Sequence, residues 1–462
     1  MNRAVPLVLS VSLFMENMDS SVIATALPTI AADFGTSPIA LKLALTSYYV
    51  ALAAFIPISG RLADRFGPRQ VFQSAIWVFI AGSIACAQAG SLGELIAARF
   101  LQGAGGAMMT PVGRLLLVRS SSKADLVGAM AWFSMPALVG PLMGPPLGGA
   151  IATYLDWRWI FWVNVPIALV GVILAARVLP LIPPRRDVRF DWRGFALSAG
   201  ACIGLVFGAS VVSLPVLPPA LGLALLAAGA GFWALYLRHA RREREPVLRL
   251  SLMDSDAFRA AVVSGFAFRI GVGAVPFLLP LMLQLGFGFT PLQSGLVSCA
   301  AIGGAIGMKV LVKGVLRRWG FRTTLIVAAL GGGALIAPMG YWRPDITIFF
   351  LVGLLAVGGL MRSLFFTSIN ALAFADIPTA RTGDATAILS AGQQVSIALG
   401  VALAGAILET LLTLDGRDVL LPRDFTVAFL IVGLASMLAA LAFLNMGRGA
   451  GSEISGHRLA AE

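Results

Sequence analysis

The sequence contains little charge, and this shortage excludes an ordinary soluble fold. Of its 462 residues, 12% are Asp, Glu, Lys or Arg, whereas 58% are hydrophobic. So few polar side chains cannot cover a water-soluble globule. Apolar runs recur along the chain, each near the roughly 20 residues that cross a hydrocarbon core of about 30 Å as a helix. These runs predict fourteen membrane spans.

Histidine and cysteine are also scarce, which restricts the chemistry available within a membrane. Both histidines, His239 and His457, fall in polar segments, so any proton transfer inside the bilayer must use carboxylates. Cys86, Cys202 and Cys299 each lie in a different apolar run without a CxxC pair, which argues against a disulfide framework or a metal site. The chain has neither a GxxxxGK[ST] loop nor an HExxH motif. We therefore expect no cofactor, no ATP-driven step and no enzyme activity.

The formal net charge of +12 is concentrated on one side of the predicted spans. Most of the 34 Lys and Arg residues fall there, and by the positive-inside rule both termini are cytoplasmic. The basic runs 185–189 and 238–244 then become cytoplasmic linkers that contact anionic lipid. Neither run has interleaved aromatic residues, so we expect no nucleic-acid partner.

Two acids in the first apolar run are the strongest functional signal in the sequence. An ionised side chain near the middle of a bilayer costs about 2.5–3.5 kcal/mol on insertion scales, so its presence there requires a specific use. Glu16 and Asp19 are three residues apart, which places them on one helical face where their titrations can couple. This pattern predicts a proton or ion site. The alternative is that hydrogen bonds or a nearby arginine satisfy both acids and they serve only to pack helices.

A faint internal repeat indicates two parallel halves. Arg65, Gly67 and Arg69 follow the second predicted span, and Arg318, Gly320 and Arg322 follow the tenth with the same order and spacing. Halves of this kind enclose a substrate cavity near the midplane. We predict an N-terminal six-helix bundle at 1–182, two extra spans with basic linkers at 183–255, a C-terminal six-helix bundle at 256–448 and a cytoplasmic tail at 449–462.

Five stretches of the N-terminal half resemble the major facilitator superfamily, and within it the fourteen-helix branch of drug–proton antiporters. They are Met18–Pro28, Gly60–Arg69, Arg99–Ala107, Gly140–Gly149 and Trp157–Pro166. The resemblance implies an all-α polytopic membrane protein with the major facilitator fold, in which two six-helix bundles flank two additional central helices. It places the acid of the first-helix signature at Asp19 and an arginine implicated in proton handling at Arg99.

The resemblance and the residue types together predict roles for individual residues. Asp19, Glu16 and Arg99 would couple transport to protons. The substrate cavity would be lined by Asn17, Arg114, Trp132, Arg269, Arg362, Phe366, Asn370, Gln393 and Gln394. A conformational gate would use Gly60, Asp64, Arg65, Gly67, Arg69, Gly140, Pro141, Gly144, Pro145, Gly148 and Gly149. At the first of these loops, Asp64 lies among three arginines and can form a charge-assisted network.

The function expected from these residues is proton-coupled efflux of small amphipathic compounds by alternating access. The partners would be the compound, protons and membrane lipid, and the protein would work as a monomer in the cytoplasmic (inner) membrane of a bacterium. Arg269 and Arg362 complicate a cationic cargo, because guanidinium groups favour carboxylates and phosphates. An exporter of an anionic metabolite, a siderophore-like compound or a lipid is therefore the alternative on the same fold. A transporter-like receptor also stays open.

Overall fold

The structure is a computed structural model that describes residues 4–121, 125–134, 136–185, 190–214, 218–378, 381–444, 446–447 and 453. Every regular element among these residues is helical. Most of the basic run 185–189 and, apart from Glu453, the predicted tail 449–462 lie outside the described residues.

The chain forms two compact units, one of residues 1–248 with 290–295 and one of residues 249–289 with 296–462. We call them the N-terminal and C-terminal units. The first contains α1 (Ala4–Val22), α2 (Leu27–Asp33), α3 (Lys42–Phe66), α4 (Pro68–Gln88), α5 (Leu92–Ser120), α6 (Leu126–Ser134), α7 (Pro136–Tyr154), α8 (Trp159–Trp162), α9 (Asn164–Val178), α10 (Trp192–Val211) and α11 (Pro219–Ala240). The second contains α12 (Asp256–Leu281), α14 (Ala300–Ile336), α15 (Ile348–Ala373), α16 (Thr382–Asp415), α17 (Pro422–Leu438) and α18 (Leu441–Leu444), and α13 (Pro291–Ser298) is divided between the units. The finer boundaries at 182 and 255 stay a prediction.

Eleven helical segments of the described chain are long and apolar enough to cross a membrane. The segment 291–341 is far longer than one span requires, and within it Gly320 has a non-helical φ of 68° that divides α14. The helix α5 is not among the eleven, and it contains four charged residues. The all-α polytopic prediction is confirmed, while the count of fourteen spans and the orientation of the termini stay predictions.

Glycine and proline set the sharp turn between α3 and α4. Gly67 has a φ of 92°, a conformation that L side chains rarely adopt, and it ends α3. Pro68 then begins α4, where its missing N–H costs nothing because the first amides of a helix have no partner within it. The predicted gate loop thus turns at Gly67, and α4 runs back beside α5.

A row of glycines holds α7 directly against α1, the helix that contains both membrane acids. A Cβ atom at Gly140 would lie 2.8 Å from the Phe14 carbonyl oxygen, and one at Gly148 would lie 2.2 Å from the Val22 carbonyl oxygen. Between them, Gly144 faces the hydroxyl of Ser21. Small residues at spacings of four let two helix backbones approach closely. The helix continues through Pro141, Pro145 and Pro146.

We expect Gly148→Ala to destabilise the protein, since the added methyl group would overlap the backbone of α1. Overpacking of this kind costs about 1–3 kcal/mol. Gly231→Ala in α11 is the matched control, because its Cβ would meet nothing within 4 Å. There the higher helix propensity of alanine should leave stability equal or slightly raised. Thermal unfolding midpoints in detergent, followed by tryptophan fluorescence, should fall for Gly148→Ala only. Equal midpoints would contradict the close contact.

Candidate functional site

Asp19 lies at the centre of a buried hydrogen-bond network in the N-terminal unit. Its Oδ2 atom accepts a hydrogen bond from Arg99 Nη1 at 2.6 Å. Its Oδ1 atom accepts from Gln102 Nε2 at 2.9 Å and from Asn164 Nδ2 at 2.8 Å. All four side chains are at most 1% exposed. The carboxylate is therefore fully coordinated by donors from α5 and α9 and sealed from solvent.

Glycine packs α5, which carries the donors Arg99 and Gln102, closely against α3 and α4. A Cβ atom at Gly103 would lie 2.6 Å from the Tyr48 carbonyl oxygen of α3, and one at Gly105 would lie 2.6 Å from the Phe79 amide nitrogen of α4. The helix α5 is thus pressed against two neighbours at the turn that follows Arg99. Gln102 lies three residues beyond Arg99 on the same face of α5. Its Oε1 atom accepts a hydrogen bond from Arg99 Nη1 at 2.6 Å, and its Nε2 atom donates to the Ser83 hydroxyl at 2.7 Å.

Two aromatic rings complete the surroundings of Arg99. Its guanidinium carbon lies 4.2 Å from the centroid of Tyr48 and 5.8 Å from that of Phe161. Such cation–π contacts contribute about 0.5–2 kcal/mol, more where water is excluded. Arg99 is thus compensated by one acid, one amide oxygen and two rings.

Glu16 occupies a different environment one turn before Asp19. It is half-buried, and it accepts a hydrogen bond from the hydroxyl of Thr110 on α5. The buried Tyr48 hydroxyl has no hydrogen-bond partner among the described residues, and it borders the same glycine, Gly106, as Glu16 does. Both acids thus face α5, one helical turn apart. Asp19 is surrounded by hydrogen-bond donors and buried, whereas Glu16 is partly exposed.

The predicted gate loop has an ion pair, but its partner differs from the expected one. Asp64 Oδ1 accepts from Arg119 Nη2 at 2.6 Å, and Arg119 lies in the last turn of α5. The flanking arginines bind elsewhere: Arg61 donates to the Pro246 carbonyl oxygen at 2.8 Å. Arg69 donates to carbonyl groups near the end of α9. The expectation of a network with the flanking arginines is thus corrected, because Arg61 and Arg69 donate to backbone carbonyl groups instead. The remaining gate residues of this loop are Gly60 and Arg65, which are exposed, and Gly67 at the turn.

Three other residues predicted for the cavity lie in the N-terminal unit without joining the network. Asn17 is half-buried and donates to the Leu13 carbonyl oxygen of its own helix at 2.8 Å. Trp132 is half-buried, and Arg114 is exposed. The structure therefore gives Asn17 a local bond and leaves Arg114 accessible.

In the C-terminal unit, the predicted cavity residues follow helical spacing on α15. Arg362, Phe366 and Asn370 recur every four residues, so they share one face. Arg269 of α12 approaches this face, with its guanidinium carbon 4.9 Å from the Phe366 ring centroid. Gln393 and Gln394 are half-buried on α16.

Sequence reasoning did not assign a role to Gln102, Asn164, Ser83, Tyr48 or Thr110. A signal was present for two of them, since Gln102 and Asn164 lie inside the quoted stretches Arg99–Ala107 and Trp157–Pro166. An amide inside an apolar span requires a hydrogen-bond partner just as an acid does. The pairing itself could not be read, because these residues are 83 and 145 positions from Asp19.

An all-helical chain with many apolar spans and a buried acid–arginine pair inside its first unit has the features of a multi-pass membrane transporter. The family comparison agrees: the model of the Major Facilitator Superfamily matches residues 9–345 and 261–457. The chain belongs to the Major Facilitator Superfamily of membrane transporters.

Relatives among bacterial proteins are similar over nearly the whole chain. The "Probable transport protein HsrA" of Haemophilus influenzae is 34% identical over 432 residues, which cover 94% of this chain and 93% of that protein. The "Putative multidrug resistance protein MdtD" of Klebsiella pneumoniae is 36% identical over 395 residues, which cover 86% and 84% respectively. The resemblance to drug-efflux members of the family is thus confirmed.

Solved structures show the same fold at low identity. A D-xylose–proton symporter superimposes with a TM-score of 0.69 at 16% identity, covering 96% of this chain and 97% of its own. A peptide transporter solved with sulfate has a TM-score of 0.71 at 14% identity and covers 95% and 93%. At such identities the likeness concerns the fold alone.

We expect Asp19→Asn to destabilise the protein strongly, because it leaves Arg99 buried without a counter-ion. Removing one partner of a buried pair costs about 3–5 kcal/mol. The double variant Asp19→Asn/Arg99→Gln should lose less than the sum of the two single variants, since neither partner then remains alone. Unfolding midpoints of the four proteins in detergent measure this coupling.

The matched control for this double-mutant comparison is Asp33→Asn. Asp33 is 43% exposed and bonds Arg158 at 3.0 Å, so its loss should cost at most about 1 kcal/mol. Additive single effects at Asp19 and Arg99 would contradict the ion pair.

Proposed function

We propose that the protein is a proton-coupled exporter of small amphipathic compounds. The observation that carries this proposal is the sealed pair of Asp19 and Arg99 within the N-terminal unit. The family membership supports transport, and the name of the "Putative multidrug resistance protein MdtD" relatives supports export of drug-like compounds.

Protonation of Asp19 would change the energy of this network in a defined direction. The ionised carboxylate accepts three hydrogen bonds from side chains. A neutral acid accepts them more weakly and leaves the Arg99 charge uncompensated in a low-dielectric site. Protonation of Asp19 would therefore loosen the closed network. One proton can in this way bias an equilibrium between two conformations.

Glu16 is placed to join substrate binding to this event. It is half-buried, one turn from Asp19, and bonded to a neutral hydroxyl rather than to a cation. A carboxylate of this kind can attract a positive group on an amphipathic compound or receive the proton first. In either role the change in charge at Glu16 would act on Asp19 along the same helix face.

The proposed setting rests on the family membership and on the bacterial relatives. We place the protein in the cytoplasmic membrane of a bacterium, with protons and lipid as partners and no cofactor, and we expect it to function as a monomer. The pair of Asp64 and Arg119, whose side chains are 27% and 26% exposed, would hold α3 to the end of α5 in one conformation of the cycle.

We expect Asp64→Asn and Arg119→Gln to slow transport to a similar extent, because each removes the same ion pair. The double variant should be no slower than either single one. The initial rate of substrate uptake into everted vesicles measures the effect. Arg177→Gln is the control, since this exposed arginine near the end of α9 lies outside the pair. Additive losses would contradict a shared role.

We expect Asp19→Asn to abolish proton release that a substrate evokes. Everted vesicles with an acidic interior would contain a fluorescent pH probe, and lipophilic cations would be added before organic anions. The wild type should release protons on substrate addition, whereas Asp19→Asn should not, because an amide cannot carry the proton.

Asp33→Asn, an acid with an exposed partner, should behave as the wild type does. The amount of each variant in the membrane is compared by immunoblot. Proton release that survives in Asp19→Asn would move the coupling to Glu16. If the wild type releases no protons with either class of compound, a receptor is favoured over a transporter.

A further inference from the structure

We propose that Arg269 binds an anionic group, such as a carboxylate, on the amphipathic compounds that the protein carries. This inference rests on the proposed transport function and narrows its substrate class. The site is the face of α15 that presents Arg362, Phe366 and Asn370, together with Arg269 of α12. Both helices belong to the C-terminal unit.

Among the described residues of this unit, Arg269 has no counter-ion. Arg269 lies near the middle of α12 and is 5% exposed. Among the residues that the structure describes, it forms neither an ion pair nor a hydrogen bond. Its guanidinium group lies over the ring of Phe366 in a cation–π contact. The contact with a ring is weaker than the contact with an acid, so it compensates a buried guanidinium only in part. An anion in the site would supply the missing compensation.

The N-terminal unit shows how the same problem is solved where no ligand is needed. Arg99 is buried to a similar degree and has Asp19, the Gln102 amide oxygen and two rings around it. Arg269 retains the aromatic contact but has no acid or amide partner among the described residues. This difference is the reason for assigning an anionic partner to Arg269.

Gly265 gives this guanidinium room to lie on its own helix. A Cβ atom at Gly265 would be 2.8 Å from Arg269 Nη1 and 4.0 Å from Ile369 Cγ1. The group therefore rests over Gly265, between α12 and α15, next to Phe366. Because the atom in conflict is the end of a flexible side chain, Gly265→Ala should move the guanidinium without disturbing the helices.

The neighbouring residues define the rest of the ligand. Phe366 is half-buried and packs edge to face against the fully buried Phe268, with the two ring centroids 5.5 Å apart. Half-buried Arg362 lies one turn before it and exposed Asn370 one turn after it. A flat apolar body on Phe366 with a planar oxyanion at Arg269 suits this face, since guanidinium binds carboxylates through two parallel hydrogen bonds.

The test is direct binding of 2-naphthoate to the purified protein in a neutral detergent, measured by isothermal titration calorimetry at fixed pH. 2-Naphthylmethanol and 2-naphthylmethylammonium present the same ring without charge and with positive charge. We expect the wild type to prefer 2-naphthoate to the alcohol. Arg269→Gln should weaken 2-naphthoate binding about tenfold or more and leave the alcohol unchanged, because only the charged contact is lost.

Three further variants separate charge, position and fold. Arg269→Lys should retain part of the preference, because it keeps the charge but not the paired donors. Gly265→Ala should reduce the preference while Arg269 is still present. Arg259→Gln, which removes an exposed arginine of the same helix that is paired with Asp256, should change nothing. Unfolding midpoints would show that each variant is folded.

Four outcomes would overturn the proposal. They are equal 2-naphthoate binding in Arg269→Gln and the wild type, no preference for the anion in the wild type, stronger binding of the ammonium compound, and an equal loss in Arg259→Gln. Nanodiscs of phosphatidylcholine with and without phosphatidylglycerol identify the source of the anion. If the binding of phosphatidylglycerol depends on Arg269 and the binding of 2-naphthoate does not, the site holds a lipid headgroup and the substrate assignment is wrong.

Binding without a gradient is independent of proton coupling, so failure of this site and failure of the proposed export are distinguishable. Anion binding that persists in a protein showing no proton release would retain the site and reject coupled transport. Proton release evoked only by cations, with no 2-naphthoate binding, would retain coupled transport and reject the site.

Discussion

The structure of the N-terminal unit depends on one buried contact, the ion pair of Asp19 and Arg99. Each charge alone would be costly in an apolar interior, and their contact is tolerated because further groups complete it. Gln102 and Asn164 fill the second oxygen of the carboxylate, and Tyr48 covers the guanidinium. Arg99 and Gln102 reach Asp19 from α5, which glycines hold close to α3 and α4. The signature stretches are thus parts of one packing arrangement around a charge.

The two units treat buried charge differently. In the N-terminal unit the acid and the arginine compensate each other, so a change of protonation alters the energy of the unit itself. In the C-terminal unit Arg269 is buried beside an aromatic ring and lacks an acidic partner among the described residues. We assign the proposed proton coupling to the first arrangement and the proposed anion binding to the second.

Family membership and the contacts answer different questions. The family model and the bacterial relatives establish a membrane transporter, and the solved structures establish the fold. The contacts add what these likenesses do not contain: the partner of Asp64 is Arg119, and the more accessible acid of α1 is Glu16. Such details decide which charges can change during a transport cycle.

The sequence by itself determined the features that depend on local patterns. Apolar runs indicated helical membrane spans, the spacing of Glu16 and Asp19 put both on one face, and the signature stretches indicated the family. Tertiary structure alone decided the partners, because helical periodicity relates residues three or four positions apart and is silent about residues 145 positions apart, as Asn164 and Asp19 are. The rotation and depth of each helix depend on where its glycines contact another backbone. Tertiary packing sealed Asp19, paired Asp64 with Arg119 rather than with a flanking arginine, and left Arg269 without an acid among the described residues.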